Sequence, residues 1–197
     1  FAEPVAIALH GVNRLPLQPG DSAVVIGAGL IGLLVVQALK AKGSGVVIAV
    51  DLDKKRLSLA KELGADEVLL SDDRVPARVR ELVGNPDGAD VALEVVGFGP
   101  TIKLAIDSVR KGGSISCVGN LKAEVPFPLQ AVVTRELSVF GSCASAGEYG
   151  EAIEAVASGR IKVAPLLSAV ADLADGADWF ARLHRNDEGL LKVILKP

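Results

Sequence analysis

Six residues, Gly27-Ala28-Gly29-Leu30-Ile31-Gly32, have the spacing of a turn that can hold a pyrophosphate. In such a turn Gly27 permits the tight bend, Gly29 lets the backbone approach the phosphates, and Gly32 allows a helix to pack closely. A helix beginning there presents free N–H groups and a positive dipole end, which attract anions without a basic side chain. The turn contains none. Asp51 closes the next apolar run, where a ribose diol should arrive; its carboxylate can accept two hydroxyl hydrogen bonds but would repel a 2′-phosphate. The pair of features points to a bound dinucleotide, with NAD favoured over NADP. Lys54, Lys55 and Arg56 are the cations that could swing toward a phosphate. Their plainer reading is a solvated first helical turn with Arg56 beside the adenine.

These residues need elements to position them. Residues 23–26 form a short β-branched run after the turn signal Gln18-Pro19-Gly20-Asp21, and they lead straight into the glycine turn. The spacing predicts a helix over 30–40, a strand over 46–50, a helix over 54–63 and a strand over 68–70. A helix near 75–83, a strand at 91–95, a helix at 101–109 and strands at 114–118 and 137–140 continue the rhythm, with Lys111-Gly112-Gly113 as a helix exit. Alternation of this kind implies right-handed crossovers and a parallel sheet covered on both faces. The expected fold is α/β, a doubly wound Rossmann sheet of six parallel strands. A methyltransferase shares the glycine turn and the ribose-binding acid, but it would add an antiparallel last strand.

Composition removes other classes. The net charge of −3 and the absence of a Lys/Arg cluster argue against a nucleic-acid partner. The apolar stretch 23–39 is broken by three glycines and Gln37, so no membrane span is expected. Cys117 and Cys143 form no CxxC pair, which fits a reduced, cytoplasmic protein without a self-contained zinc cluster. The chain lacks methionine and starts at Phe1, as an excised piece of a longer protein would.

Taken together the motifs resemble the zinc-type alcohol and polyol dehydrogenases of the medium-chain dehydrogenase/reductase superfamily, particularly sorbitol and threonine dehydrogenase relatives. The resemblance covers the whole chain. It rests on Glu3-Pro4 followed by His10, the glycine turn, and Asp51 with Arg56. Leu63-Gly64-Ala65-Asp66, Asp90-Val91-Ala92-Leu93-Glu94-Val95-Val96-Gly97, Gly112-Gly113, Val118-Gly119 and Gly141-Ser142 follow in order. It implies that residues 1–20 are the remnant of a catalytic domain, 21–159 the NAD-binding domain, and 160–197 a return to the catalytic domain, ending in a strand at 192–195. The zinc ligands would lie upstream, leaving this chain able to bind cofactor but catalytically incompetent alone. The complete enzyme would oxidise an alcohol or polyol by hydride transfer to NAD, as a homodimer or homotetramer pairing edge strands at 137–140. A zinc-free NADPH quinone or enoyl reductase and a nonenzymatic NAD-binding regulatory module are the alternatives.

The resemblance also assigns residues. Val96 and Gly97 after the fourth strand, and Val118, Gly119 and Asn120 after the fifth, would line the cofactor through their backbones, with Ser142 after the sixth. Glu3 would approach the catalytic zinc, or else be an exposed acid opening a helix with Pro4 at its first position. His10 reads as a helix-face or interdomain histidine, and His184 as solvated. Glu94 either bonds near the cofactor or caps a loop; Cys117 reads as core. Cys143-Ala144-Ser145 stands where sorbitol-type enzymes carry Phe-Arg-Tyr, so the substrate-contacting arginine is absent.

Overall fold

The computed structural model describes residues 1–185 and 189–197, so part of the expected 160–197 segment lies outside the described residues. It divides into two compact units, Phe1–Ile161 and Lys162–Pro197.

The first unit is built on six parallel strands in the order β3-β2-β1-β4-β5-β6. These are β1 Ala23–Ile26, β2 Val47–Asp51, β3 Glu67–Leu70, β4 Ala89–Glu94, β5 Val109–Cys117 and β6 Ser138–Gly141. The chain alternates them with α2 Leu30–Ala41, α3 Lys54–Glu62, α4 Val75–Val83 and α5 Gly99–Ser108. Strand periodicity sorts the side chains between two faces. Val24, Ile26, Ile48, Val50, Ala92 and Ile115 share one core with Val75 and Val79 of α4 and Ile102, Ala105 and Ile106 of α5. The intervening residues Ala23, Val25, Val47 and Ala49 are also fully buried. Both faces are therefore covered, which is why β1, Val47–Val50 of β2 and Val91–Leu93 of β4 read as continuous apolar runs and not as alternating ones. Full burial of each Val, Ile or Leu stabilises the fold by about 1.5–3 kcal/mol.

The elements depart from expectation in several places. β5 begins at Val109 and swallows Lys111-Gly112-Gly113, the anticipated helix exit. Val109 pairs with Ala89 before a register shift, and Gly112 N–H donates to Arg135 O at 2.9 Å, so tertiary bonds extend the strand past its local signal. α6, Leu129–Thr134, interrupts the long Pro-containing loop. α1, Ala2–Asn13, buries Val5, Ala8, Leu9 and Val12 and packs against α2 and α7, Tyr149–Ala157, inside the same unit as the sheet.

The second unit pairs β7, Leu167–Asp172, with β8, Lys192–Lys196, in parallel, and α8, Gly176–Arg185, lies between them in sequence. β8 extends the expected 192–195 strand by one residue, whereas β7 was not anticipated. In α8 the Arg182 guanidinium sits 3.9 Å over the Trp179 ring, and His184 is exposed. No described helix is long and apolar enough to cross a membrane.

Candidate functional site

The reversal of strand order between β1 and β4 opens a crevice at the carboxyl edge of the sheet, the place where ligands of such folds bind. The glycine turn lies on it. Gly27 N–H donates to Val50 O at 2.8 Å, and Gly27 adopts φ +102°, a conformation costly for any residue with a Cβ. Gly32 faces the turn so closely that a Cβ would stand 1.9 Å from Gly27 O. Gly29 is different. It caps α2 in an ordinary extended conformation, and a Cβ built on it meets nothing within 4 Å. No described side chain caps α2, so the helix presents its orphan N–H groups, with Leu30, Ile31 and Gly32 as its first turn, beside open space. That cradle fits a pyrophosphate.

Asp51 does more than wait for a ribose. Its Oδ2 accepts from Ala28 N–H at 2.6 Å and its Oδ1 from Asp53 N–H at 2.9 Å, so it ties the glycine turn to the start of α3. Each oxygen retains a further lone pair for a hydroxyl. Asp53 caps α3 through Lys55 N–H at 2.7 Å and lies 4.0 Å from Arg56 Nε. Arg56 therefore sits beside a second carboxylate in this turn.

Along the same edge, a cavity of about 680 Å³ opens at the ends of β4, β5 and β6. Ile31, Val96, Val118, Gly119, Asn120 and Ser142 line it, together with Ile7, Val95, Cys117, Gly141, Cys143 and Ala144, which sequence reasoning did not assign to the site. Ile7 had a legible signal: it follows Glu3 by four and precedes His10 by three, the spacing of one helix face. Residues 141–144 enter the sequence reading only through the resemblance, Gly141-Ser142 as a shared motif and Cys143-Ala144-Ser145 as the departure from Phe-Arg-Tyr, and not as walls of this cavity.

Gly97 supports this cavity from behind. A Cβ at Gly97 would stand 2.3 Å from Asn120 N, and one at Gly119 would stand 2.1 Å from Gly97 N, so the β4 and β5 exits touch backbone to backbone. Buried Glu94 organises that contact. Its carboxylate accepts from Val96 N–H at 2.9 Å, from Gly97 N–H at 2.8 Å and from the Thr101 hydroxyl at 2.8 Å, which makes it the cap of the loop. Cys117 is half-buried on the cavity wall, not sealed in the core. Burial, and then the nearby charge of Glu94, push its thiol up to about 11.

Glu3 is exposed in the first turn of α1. Pro4 is the third residue of that helix instead of the first, a position whose N–H lacks an intrahelical partner in any case. No three His, Cys, Asp or Glu side chains converge among the described residues. Catalytic zinc needs three protein ligands, and these residues do not supply such a set. His10 is engaged: its Nδ1–H donates to Glu148 Oε1 at 2.8 Å.

Residues 31–158 match the family described as Zinc-binding dehydrogenase. The chain is 31% identical over 196 residues to a sorbitol dehydrogenase of Bacillus subtilis strain 168, covering 99% of this chain and 56% of that protein. It superimposes on a zinc-binding dehydrogenase structure from Sinorhizobium meliloti 1021 bound to NADP with a TM-score of 0.90, at 29% identity, covering 100% of this chain and 58% of that one. A structure of a short chain alcohol dehydrogenase from E. coli CFT073, complexed with NADH, gives 0.89 at 26% identity, covering 100% and 58%. The chain thus spans about half the length of the curated relatives it matches. With the family match spanning more than half of the chain and the fold superimposing on solved members over its full length, the chain belongs to the zinc-binding dehydrogenase family.

Proposed function

We propose that this chain holds the cofactor of an NAD-dependent alcohol or polyol dehydrogenase. One observation carries the reading: Asp51 at the end of β2, the glycine turn after β1 and the 680 Å³ cavity at β4 to β6 follow one another along a single sheet edge, in the order adenosine ribose, pyrophosphate and nicotinamide would require. When bound, the nicotinamide ring supplies a hydride acceptor for the alcohol carbon. The chain's own residues do the positioning. The α2 N-terminus holds the phosphates, Asp51 receives ribose hydroxyls, and Val96, Val118 and Ile7 exclude water from the ring.

Asp51 and Asp53 support NAD over NADP, since a 2′-phosphate would enter between two carboxylates with Arg56 already beside one of them. The absence of arginine from Cys143-Ala144-Ser145 supports alcohols other than sorbitol itself. Zinc is assigned to the enzyme as a whole, Glu3 offering at most one carboxylate. The reading extends to a cytoplasmic homodimer or homotetramer formed by pairing of the β6 edges. That pairing would satisfy the open backbone groups of the outermost strand.

Calorimetric titration with NAD and NADP, on wild type and D51N, tests the cofactor role. Tighter binding of NAD, with the preference reduced about tenfold or more in D51N, is the expected result. Tighter binding of NADP by wild type would overturn it.

A further inference from the structure

We propose that His10 and Glu148 form a latch that positions the cavity wall at residues 142–147 and thereby the nicotinamide end of the cofactor. The proposal rests on the cavity reading above.

That wall leaves the sheet at Gly141 and reaches α7 at Tyr149. Its first residue is well anchored: Ser142 N–H donates to Cys117 O at 2.9 Å, and Arg14 Nε–H donates to Gly141 O at 3.0 Å. Beyond it, Ala144 stands at φ +52°, a left-handed conformation that alanine avoids by roughly 1–2 kcal/mol. Such a residue persists only where its surroundings over-determine the backbone. The constraint at the far end is Glu148. One carboxylate oxygen takes the His10 Nδ1–H at 2.8 Å, and the other takes Ala146 N–H at 2.6 Å. The two side chains are only 16% and 11% exposed, so solvent screens the pair weakly.

His10 is itself held rigidly. It belongs to the same helix as Ile7, which lines the cavity, and Gly11, where a Cβ would stand 2.9 Å from Val118 Cγ2. Helix α1 therefore fixes the cavity from one side and, through His10, the loop that closes it from the other. Release of Glu148 would let Ala144 relax to negative φ and carry Cys143 and Ala144 off the cavity. His10 and Glu148 are positioning residues; neither lines the cavity itself.

The test uses the full chain as wild type, H10F, E148A and the exchanged pair H10E/E148H. Amide hydrogen exchange over 142–147, measured without nucleotide, should rise about tenfold or more in both single variants while that of β1 and β4 stays unchanged. NADH affinity should fall about tenfold and ADP-ribose affinity should not change, because the latch bears on the nicotinamide end alone. The exchanged pair should recover both readouts. Unchanged exchange in the single variants overturns the latch, and parallel losses of NADH and ADP-ribose overturn its positioning role in favour of general support of the fold. Wild type that binds NADH no better than ADP-ribose would instead refute the cavity reading and with it the latch's effect on cofactor, while the exchange data report separately on the loop.

Discussion

Replacing Gly29 and Gly32 separately by alanine should split two roles that a glycine-rich motif mixes. At Gly32 the new Cβ would lie 1.9 Å from Gly27 O and 2.8 Å from Gly27 C, both backbone atoms that cannot rotate away. Restoring ordinary contact requires the turn or α2 to shift by more than about an ångström, an overpacking strain of about 1–3 kcal/mol. For a chain of this size the melting temperature should fall by roughly 2–12 °C. At Gly29 the Cβ meets nothing within 4 Å and φ is −74°, so no strain arises. A gain of about 0.4–1 kcal/mol from a less flexible unfolded chain is offset by alanine's poorer capping, leaving stability within about 0.5 kcal/mol of wild type. The methyl group would, however, stand where the pyrophosphate must approach. NAD affinity should drop roughly ten- to a hundredfold. Thermal unfolding followed by calorimetric titration measures both quantities. G29A binding NAD as wild type does would refute the seating of the pyrophosphate on this turn, and G32A melting with wild type would refute the close packing.

Iodoacetamide at about pH 8 should modify Cys143 first, since the Cys117 thiol, at about 11, stays protonated until far higher pH; peptide mapping that found Cys117 labelled as fast would contradict its burial beside Glu94. Burial opposes ionisation of Asp90, but hydrogen bonds from Arg110 Nε at 2.7 Å and from Ser22 outweigh it and hold the carboxyl below its ordinary 3.8. Its contribution is thus complete above that value and lost as pH falls through the lowered one, so D90N should cost about 1–3 kcal/mol at neutral pH and flatten the acid limb of a pH-dependent melting series. An unaltered acid limb would show that another group controls it. If the β6 edges pair, V139K should convert a dimer to a monomer by light scattering while far-UV circular dichroism shows the variant still folded, because Val139 sits on the outermost strand and is 37% exposed. A wild-type monomer would refute the pairing.

The sheet was legible because its signals are local. Short apolar runs such as Ala23–Ile26 and Val47–Asp51 stand between glycine turns and helix stops, and every one of the six strands has its own run. β7 had no such signal: Leu167-Ser168-Ala169-Val170-Ala171-Asp172 mixes polar and small residues and becomes a strand by pairing with β8, remote in sequence. The glycine turn could likewise be placed from spacing alone, since Gly27, Gly29 and Gly32 act on their own neighbours. Asp51 could be named as a ribose acceptor but not as the tie to Ala28, and His10 could be placed on a helix but not beside Glu148.

By itself, then, the sequence determined the parallel α/β architecture, the glycine turn and the position of the acid that follows it, because backbone propensity and hydrophobic periodicity act over a few residues. Only the tertiary structure decided that α1 packs in the same unit as the six-stranded sheet, that Gly97 and Gly119 lock two strand exits together, and that residues 141–144 complete the cavity. Those contacts join segments tens to more than a hundred residues apart, and their geometry exists only once the sheet has set the register between them.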